Sequence, residues 1–145
     1  MPPLRETSDI EALVKGLKDG TIDFIVSNHT PIDSEGKELE FPYADFGVIG
    51  LETAFFMINQ FLHKKLNINQ LVQYFGINPR KVSGLEMPEI REGSIANLTL
   101  FNPDETWTFS EKDIFSKSKN TPLVGKILRG RVEGVVNKGQ YWLRS

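Results

Sequence analysis

A run of apolar residues from Leu51 to about Lys65 constrains the fold of this chain more than any other feature. The run is helical in pattern, and its apolar side chains lie on nearly all sides of the predicted helix, at Leu51, Ala54, Phe55, Phe56, Met57, Ile58, Phe61 and Leu62. A helix without a polar face has to be covered on most sides by protein. It is too short for a membrane span, which needs about 18 uncharged apolar residues or more. We therefore expect a buried helix and no membrane partner.

Upstream of this helix the pattern is that of an α/β protein. Ser8 and Glu11 form a capping-box pattern at the start of an amphipathic helix that Gly20 ends. The apolar segment from Ile22 to Val26 is typical of a strand buried on both faces, as in parallel sheets. The residues from Ser27 to Gly50 show no period and predict a long loop. Active sites of parallel α/β folds gather at such strand ends.

Downstream of the apolar helix, short helices give way to strands. Asn67 or Asn69 is expected to cap a short helix, and Asn78-Pro79 to begin a last helical turn that stops at Gly84. The strand-like segments that follow are Asn97 to Leu100, Trp107 to Phe109, Ile127 to Val136 and, after a hairpin turn at Asn137-Lys138-Gly139, Tyr141 to Leu143. We therefore predict an α/β part over residues 1–85 and a small β part over residues 86–145.

Composition and length exclude several classes of protein. Seventeen basic and nineteen acidic residues give a net charge of -2, so no nucleic-acid partner is expected. The absence of cysteine excludes disulfides, thiolate metal sites and a cysteine nucleophile. It also fits a cytoplasmic protein, as does a start without a signal-peptide pattern. A length of 145 residues cannot hold a complete (β/α)₈ barrel, which needs about 250.

Several sequence blocks follow one another along nearly the whole chain: Pro2-Pro3-Leu4-Arg5, Asp19-Gly20-Thr21-Ile22-Asp23, His29-Thr30-Pro31, Phe46-Gly47-Val48-Ile49-Gly50-Leu51-Glu52-Thr53-Ala54, Asn78-Pro79, Gly84-Leu85, Ile90-Arg91-Glu92-Gly93-Ser94-Ile95-Ala96-Asn97-Leu98 and Ser116-Lys117-Ser118-Lys119-Asn120-Thr121-Pro122. Together, and in this order, they resemble the C-terminal third of the dihydroorotases, which are cyclic amidohydrolases of pyrimidine biosynthesis. The resemblance implies an α/β fold: a C-terminal slice of a (β/α)₈ amidohydrolase barrel plus the C-terminal part of a small β-sandwich. Residues 22–26 would be the eighth barrel strand, and residues 51–65 the helix after it.

The resemblance also implies zinc chemistry whose ligands come mainly from other parts of the family fold. Family members hydrolyse a cyclic amide with two zinc ions and a bridging hydroxide, and the ligands lie on the first to sixth strands. This chain has only two histidines, His29 and His63. A catalytic zinc site normally needs three protein ligands and a water. We therefore predict no metal ligand and no cofactor in this chain itself.

The family's active-site signature is altered here. The family reads Asp-His-Ala-Pro-His at the end of the eighth strand, where this chain reads Asn28-His29-Thr30-Pro31-Ile32. The family aspartate binds metal and shuttles protons, whereas Asn28 has no titratable carboxylate and cannot act as a general base. Ile32 replaces a histidine that contacts the substrate. The pattern predicts lost catalysis, with no catalytic residue intact; the alternative for Asn28 is a loop residue that satisfies nearby backbone.

Other positions keep two interpretations. His29 is either a remnant of the substrate site or a partly buried histidine bonded to backbone. Phe46-Gly47 matches a family loop whose backbone contacts the substrate, but it also fits a turn that starts the next helix. Arg5 is interpreted as structural, and the basic stretch from Ser116 to Lys119 as a solvated loop rather than a phosphate site.

Two functions follow from this pattern. The first is a dihydroorotase-like protein of which this chain alone is inactive. The second is a non-catalytic scaffold subunit that binds a partner such as aspartate transcarbamoylase; an independent small binding module is a third, without positive support. Unpaired strand edges and uncovered apolar faces predict self-association, or association with the missing portion of the barrel.

Overall fold

The computed structural model describes residues 6–144, so the block that ends at Arg5 lies outside the described residues. Residues 6–144 contain four α-helices: α1 (Thr7–Asp19), α2 (Ala54–Leu62), α3 (Ile68–Val72) and α4 (Asn78–Val82). A π-helical turn (Gln73–Ile77) joins α3 to α4, and Glu111–Asp113 forms a 3₁₀ turn. The strands are β1 (Asn97–Thr108), β2 (Ile127–Asn137) and β3 (Gln140–Leu143). Within residues 6–144, every helix is too short or too polar to cross a membrane.

The chain divides into two compact units that are interleaved along the sequence. One contains the described residues up to Val26 together with Leu62–Glu89, and the other contains Ser27–Phe61 and the residues from Ile90 onward. The predicted loop and the start of the apolar helix therefore group with the strands. The boundary at residue 85 between a barrel part and a sandwich part stays a prediction.

The first unit is helical, and local signals explain where its helices end. In the capping box of α1 the Glu6 side chain accepts the Asp9 N–H and the Asp9 carboxylate accepts the Glu6 N–H, so the predicted box at Ser8 is wrong by two residues. Gly20 ends α1 with a left-handed φ of 82°, as predicted. Asn67, one of the two predicted caps, accepts the N–H of Gln70 at the start of α3.

The segment from Ile22 to Val26 forms neither a helix nor a strand within residues 6–144, so the structure described does not contain the predicted buried strand. Ile22 donates its N–H to Gly16 and Ile25 donates to Tyr74, each a single bond to a helical segment. Val26 is 65% exposed. A strand is stabilised by hydrogen bonds to the backbone of neighbouring strands. Among residues 6–144, no strand makes such bonds to this segment. The eighth-strand assignment stays a proposal from the family resemblance.

The second unit is built on an antiparallel sheet in the order β1-β2-β3. The predicted hairpin is confirmed: Lys138 and Gly139 form a two-residue loop between β2 and β3, with φ of 49° and 83°. Two left-handed residues give the turn whose twist matches the flanking strands. The ladder between β1 and β2 shifts register after Leu100 and after Asn102. The buried core contains Ile49, Phe56, Phe109, Ile114 and Leu128.

Helix α2 packs its first turns on this sheet. The rings of Phe55 and Phe101 lie 5.0 Å apart, edge to face. Asn59 is buried on the same helix, and its Nδ2 donates to the carbonyls of Pro103 at 2.8 Å and Arg129 at 3.2 Å. These carbonyls lie where β1 bulges away from β2, so the amide satisfies groups that the ladder leaves open. The helix is shorter than predicted, and Phe61 is 66% exposed, so the expected cover is incomplete.

Ion pairs connect the residue after β3 to the other two strands. Arg144 pairs with Glu105 at 3.0 Å and with Glu133 at 2.8 Å, while Arg131 pairs with Glu105 at 3.3 Å. Partial loss of water raises the pKa of Glu105, but its interactions with Glu133, Arg131 and Arg144 outweigh this and leave the pKa below its ordinary value of 4.5. The hydrogen bond to Glu133 raises the pKa of Arg144. The cluster is thus favoured in its charged form.

Candidate functional site

The five candidate residues of the sequence analysis, Asn28, His29, Ile32, Phe46 and Gly47, lie on the loop from Ser27 to Gly50, in the second unit. As predicted, this loop contains no helix or strand. Its two limbs are joined where Thr30 donates its N–H to the carbonyl of Val48 at 3.0 Å. The structure thus brings the altered signature beside Phe46-Gly47, although eighteen positions separate Asn28 from Phe46. Phe46-Gly47 itself does not form the predicted turn.

Gly47 is required where the two limbs meet. Its φ is 143°, and an added Cβ would lie 2.7 Å from the carbonyl oxygen of Thr30 and 3.0 Å from Cγ1 of Ile32. A side chain cannot fit at that distance from backbone. Glycine at this position therefore allows the close approach of backbone to backbone that shapes the loop.

His29 caps the turn that leads into α2. Its Nδ1 accepts the N–H of Gly50 at 3.0 Å and that of Leu51 at 3.2 Å. These are backbone donors of the kind that the start of a helix leaves without a partner. A neutral imidazole that accepts at Nδ1 carries its proton on Nε2. Neither nitrogen then has a free lone pair for a metal ion, and Nε2 can act only as a hydrogen-bond donor.

Asn28 is exposed and has a left-handed backbone with φ of 46°. Asparagine and aspartate both tolerate this conformation better than other residues with a side chain. The Asn28 carbonyl accepts the hydroxyl of Thr30 at 3.1 Å, which closes a small turn. The backbone at this position therefore suits an aspartate equally well. Asparagine and aspartate differ here in the chemistry of the side chain, because an amide, unlike a carboxylate, does not bind or release a proton near neutral pH.

The other two candidates present apolar groups. Phe46 is 86% exposed, and Ile32 is half-buried. The Ile32 carbonyl accepts the hydroxyl of Ser118 at 2.6 Å. Ile32, which the family resemblance matches to a substrate-contacting histidine, has an aliphatic side chain that can neither donate nor accept a hydrogen bond.

The sequence analysis missed a second segment that holds this loop in place. Asn120 donates its side-chain N–H to the Gly47 carbonyl at 2.9 Å, and its own carbonyl accepts the N–H of Ile49 at 3.0 Å. Lys119 donates to the Ile114 carbonyl at 2.7 Å. Residues 116–119 form a loop in which Lys117 and Lys119 are exposed, as the sequence predicted. Ser116, Ser118 and Lys119 each also make a hydrogen bond to the rest of the unit. The only sequence signal was that the block from Ser116 to Pro122 forms part of the family resemblance.

The family's zinc ions do not fit the donors that this segment supplies. Among residues 6–144, no group of three or more histidine, aspartate or glutamate side chains is arranged to hold a metal ion. The lone pair of His29 is already used by backbone. His63 belongs to the other unit.

Comparisons with known proteins show which family this sequence resembles. No protein-family model matches it. It is 44% identical over 141 residues to dihydroorotase from Thermoanaerobacter sp. (strain X514), covering 96% of this chain and 32% of that protein. Dihydroorotase from Chlorobaculum tepidum is 40% identical over 145 residues, covering 99% and 33%. The chain thus spans about a third of the length of these curated relatives.

The same third appears in solved structures. A D-hydantoinase (dihydropyrimidinase) from Thermus sp. superposes with a TM-score of 0.82 at 26% identity, covering 99% of this chain and 33% of that one. The arrangement of helices, loop and sheet therefore agrees with an amidohydrolase fold. The strand-by-strand assignment to a barrel stays a prediction.

Proposed function

We propose that this chain, which belongs to the dihydroorotase and hydantoinase amidohydrolases, forms the signature loop and adjoining sheet of a family member that has lost hydrolysis of the cyclic amide. The observation that carries the proposal is Asn28. The family resemblance matches it to a metal-binding, proton-shuttling aspartate, and its left-handed backbone is one that an aspartate could adopt without change.

The other signature side chains do not replace the missing carboxylate. A general base has to accept a proton within hydrogen-bond reach of the reacting water. The amide of Asn28 has no such capacity near neutral pH. The Nδ1 lone pair of His29 is used by Gly50 and Leu51, and Ile32 has no polar atom in its side chain. Residues 28–32 therefore lack the acid–base groups that the resemblance implies for the family's signature.

A chimeric enzyme tests the proposal. The corresponding third of the active Thermoanaerobacter dihydroorotase would be replaced by this chain, and hydrolysis of dihydroorotate would be measured with zinc supplied. Loss of a general base lowers rates by about 10²–10⁴-fold. We expect a loss of this size in the chimera and a recovery of at least about tenfold when Asn28→Asp restores the carboxylate.

Controls separate lost chemistry from lost folding. Circular dichroism and size-exclusion chromatography should show the same fold for the chimera and its Asn28→Asp variant, and bound zinc should be counted in both by elemental analysis. Adding Ile32→His to Asn28→Asp should lower the KM for dihydroorotate, because the family histidine contacts substrate. A folded chimera that retains Asn28 and hydrolyses dihydroorotate at the parental rate would disprove the proposal.

A second function, a non-catalytic scaffold, is favoured by the apolar surface of the same loop. Phe41 is 94% exposed, and Tyr43 and Phe46 are exposed beside it. Grouped exposed aromatic residues are typical of protein interfaces. Light scattering would test self-association, and size-exclusion chromatography with aspartate transcarbamoylase would test that partner. A monodisperse monomer that elutes separately from the transcarbamoylase would contradict the scaffold function.

A further inference from the structure

We propose that a cavity in the second unit, between the first turns of α2 and the sheet, binds a small organic cation with an aromatic or alkyl body. The cavity has a volume of about 490 Å³, which is in the range of small-molecule sites. Its walls are mainly aromatic, from Phe55, Phe56, Trp107, Phe109, Phe115 and Trp142. The inference does not depend on the proposed function, since none of these residues belongs to the signature loop.

The aromatic rings form both the inner wall and the exposed rim. Phe56 meets Trp107 edge to face at 5.5 Å, and Trp107 meets Phe109 at 5.7 Å. Near the solvent, Phe115 and Trp142 form another edge-to-face pair at 6.2 Å, and Phe115 is 79% exposed. Ring faces carry negative charge density and attract cations. A flat or alkyl body can therefore lie between these rings, and a positive group is favoured there.

Glu52 provides the polar anchor. Its Oε1 accepts the N–H of Ser116 at 2.6 Å. Its Oε2 is buried and has no hydrogen-bond donor among the described residues, and the side chain lines the cavity. A buried carboxylate oxygen without a donor costs free energy. A shift of the Glu52 side chain would bring this oxygen to the cavity surface. An ammonium N–H from a ligand could then remove that cost and neutralise the charge.

Two of the three cationic side chains that line the cavity, Arg131 and Arg144, pair with other carboxylates. Arg131 lies over the Trp107 ring at 4.4 Å and pairs with Glu105 at 3.3 Å. Arg144 pairs with Glu105 and with Glu133. Of the lining carboxylates, Glu52 is the one without an ion pair among the described residues. Lys112 also lines the cavity, so a test has to ask whether it selects an anion instead.

Tryptophan fluorescence can report occupancy directly, because both tryptophans of the chain, Trp107 and Trp142, line the cavity. Three probes of similar shape differ in charge: 2-phenylethylammonium, 2-phenylethanol and 3-phenylpropionate. We expect saturable binding of the ammonium at least about tenfold tighter than that of the alcohol, since a hydrogen bond to a charged group separates them. The anion should bind more weakly than either.

Two variants connect the preference to the residues named. Glu52→Gln keeps an acceptor for Ser116 but replaces the charged oxygen, so the ammonium and the alcohol should bind nearly equally. Glu111→Gln, an exposed glutamate on the adjacent 3₁₀ turn, is the matched control and should keep the tenfold preference. Phe115→Ala removes an exposed ring at the rim and should weaken the binding of all three probes.

Several results would overturn this inference: no saturable fluorescence change, equal affinity for the three probes, or tighter binding of 3-phenylpropionate. A Glu52→Gln chain that is folded by circular dichroism and keeps the tenfold preference would do the same. Should Glu52→Gln fail to fold, unchanged affinities in Phe115→Ala would refute the site independently. No amidohydrolase substrate is used, so the outcome is separate from that of the proposed function.

Discussion

Replacing His29 with leucine is expected to destabilise the second unit by about 1–3 kcal/mol. The imidazole Nδ1 is the acceptor for two backbone N–H groups, from Gly50 and Leu51. Gly50 is buried, so its N–H would lose its partner without access to water, and an unsatisfied buried donor costs an amount of this size. The hydrogen bond of the Leu51 N–H is exposed, so in the variant this N–H can bond to water instead. Its loss should therefore add little to the destabilisation.

Urea unfolding measured by tryptophan fluorescence is the assay. Trp107 and Trp142 lie in the same unit as His29, so their emission reports the relevant transition. With a slope of about 1–3 kcal/mol per molar urea for a chain of this size, the midpoint should fall by about 1 M. The slope itself should not change, since the variant removes a local contact and leaves the buried surface of the unit nearly intact.

Two amide variants test whether the Nδ1 contact is the cause. The oxygen of His29→Asn can occupy about the position of Nδ1 and accept from Gly50, so this variant should recover most of the lost stability. The amide of His29→Gln reaches about the position of Nε2 and should recover little. Equal midpoints for the asparagine and glutamine variants, or an unchanged midpoint for leucine, would refute the capping role.

Three further perturbations test other contacts of the fold. Gly50→Ala would place a Cβ 2.5 Å from the Ser27 carbonyl oxygen and should lower the free energy of unfolding by about 1–3 kcal/mol, measured by thermal circular dichroism. Gly76→Ala, with no atom within 4 Å of its Cβ, is the control and should be neutral or slightly stabilising. Asn59→Asp turns a donating amide into a carboxylate facing two carbonyls and should cost about 2 kcal/mol or more at pH 7 in urea unfolding; an unchanged midpoint would show that these bonds do not hold the bulge. The pKa of Glu105 is lowered from 4.5, so the contribution of its carboxylate to stability is present above that value and is lost as the pH falls through the lowered pKa. Stability, followed by fluorescence during acid unfolding, should therefore fall less steeply with pH in Glu105→Gln. Identical acid-unfolding profiles would count against the ion-pair cluster.

Local signals explain the parts of the fold that the sequence predicted. Gly20 at the end of α1 and Lys138-Gly139 between β2 and β3 both have left-handed backbones that few other residues adopt without cost. The cap of α3 is likewise a contact over three residues. Such features depend on nearest neighbours along the chain, so they can be read before any tertiary contact is known.

The candidate site was predicted in part. The family resemblance selected Asn28, His29 and Ile32, and the absence of a carboxylate at Asn28 follows from the sequence alone. Which atom of His29 is used, and by which donors, could not be predicted, because the N–H groups of Gly50 and Leu51 lie 21 and 22 positions away. The cavity at Glu52 was not predicted at all.

The sequence by itself determined the chemistry available to this protein: two histidines, no cysteine, and an asparagine at a position that the family resemblance matches to a catalytic carboxylate. Only the tertiary structure decided how those groups are used. Asn120 reaches Gly47 across 73 positions, and within residues 6–144 the segment from Ile22 to Val26 forms no strand despite its apolar pattern. The physical reason is the same in both cases: a backbone hydrogen bond is determined by whichever partner the fold brings within about 3 Å, and spacing along the chain does not specify that partner.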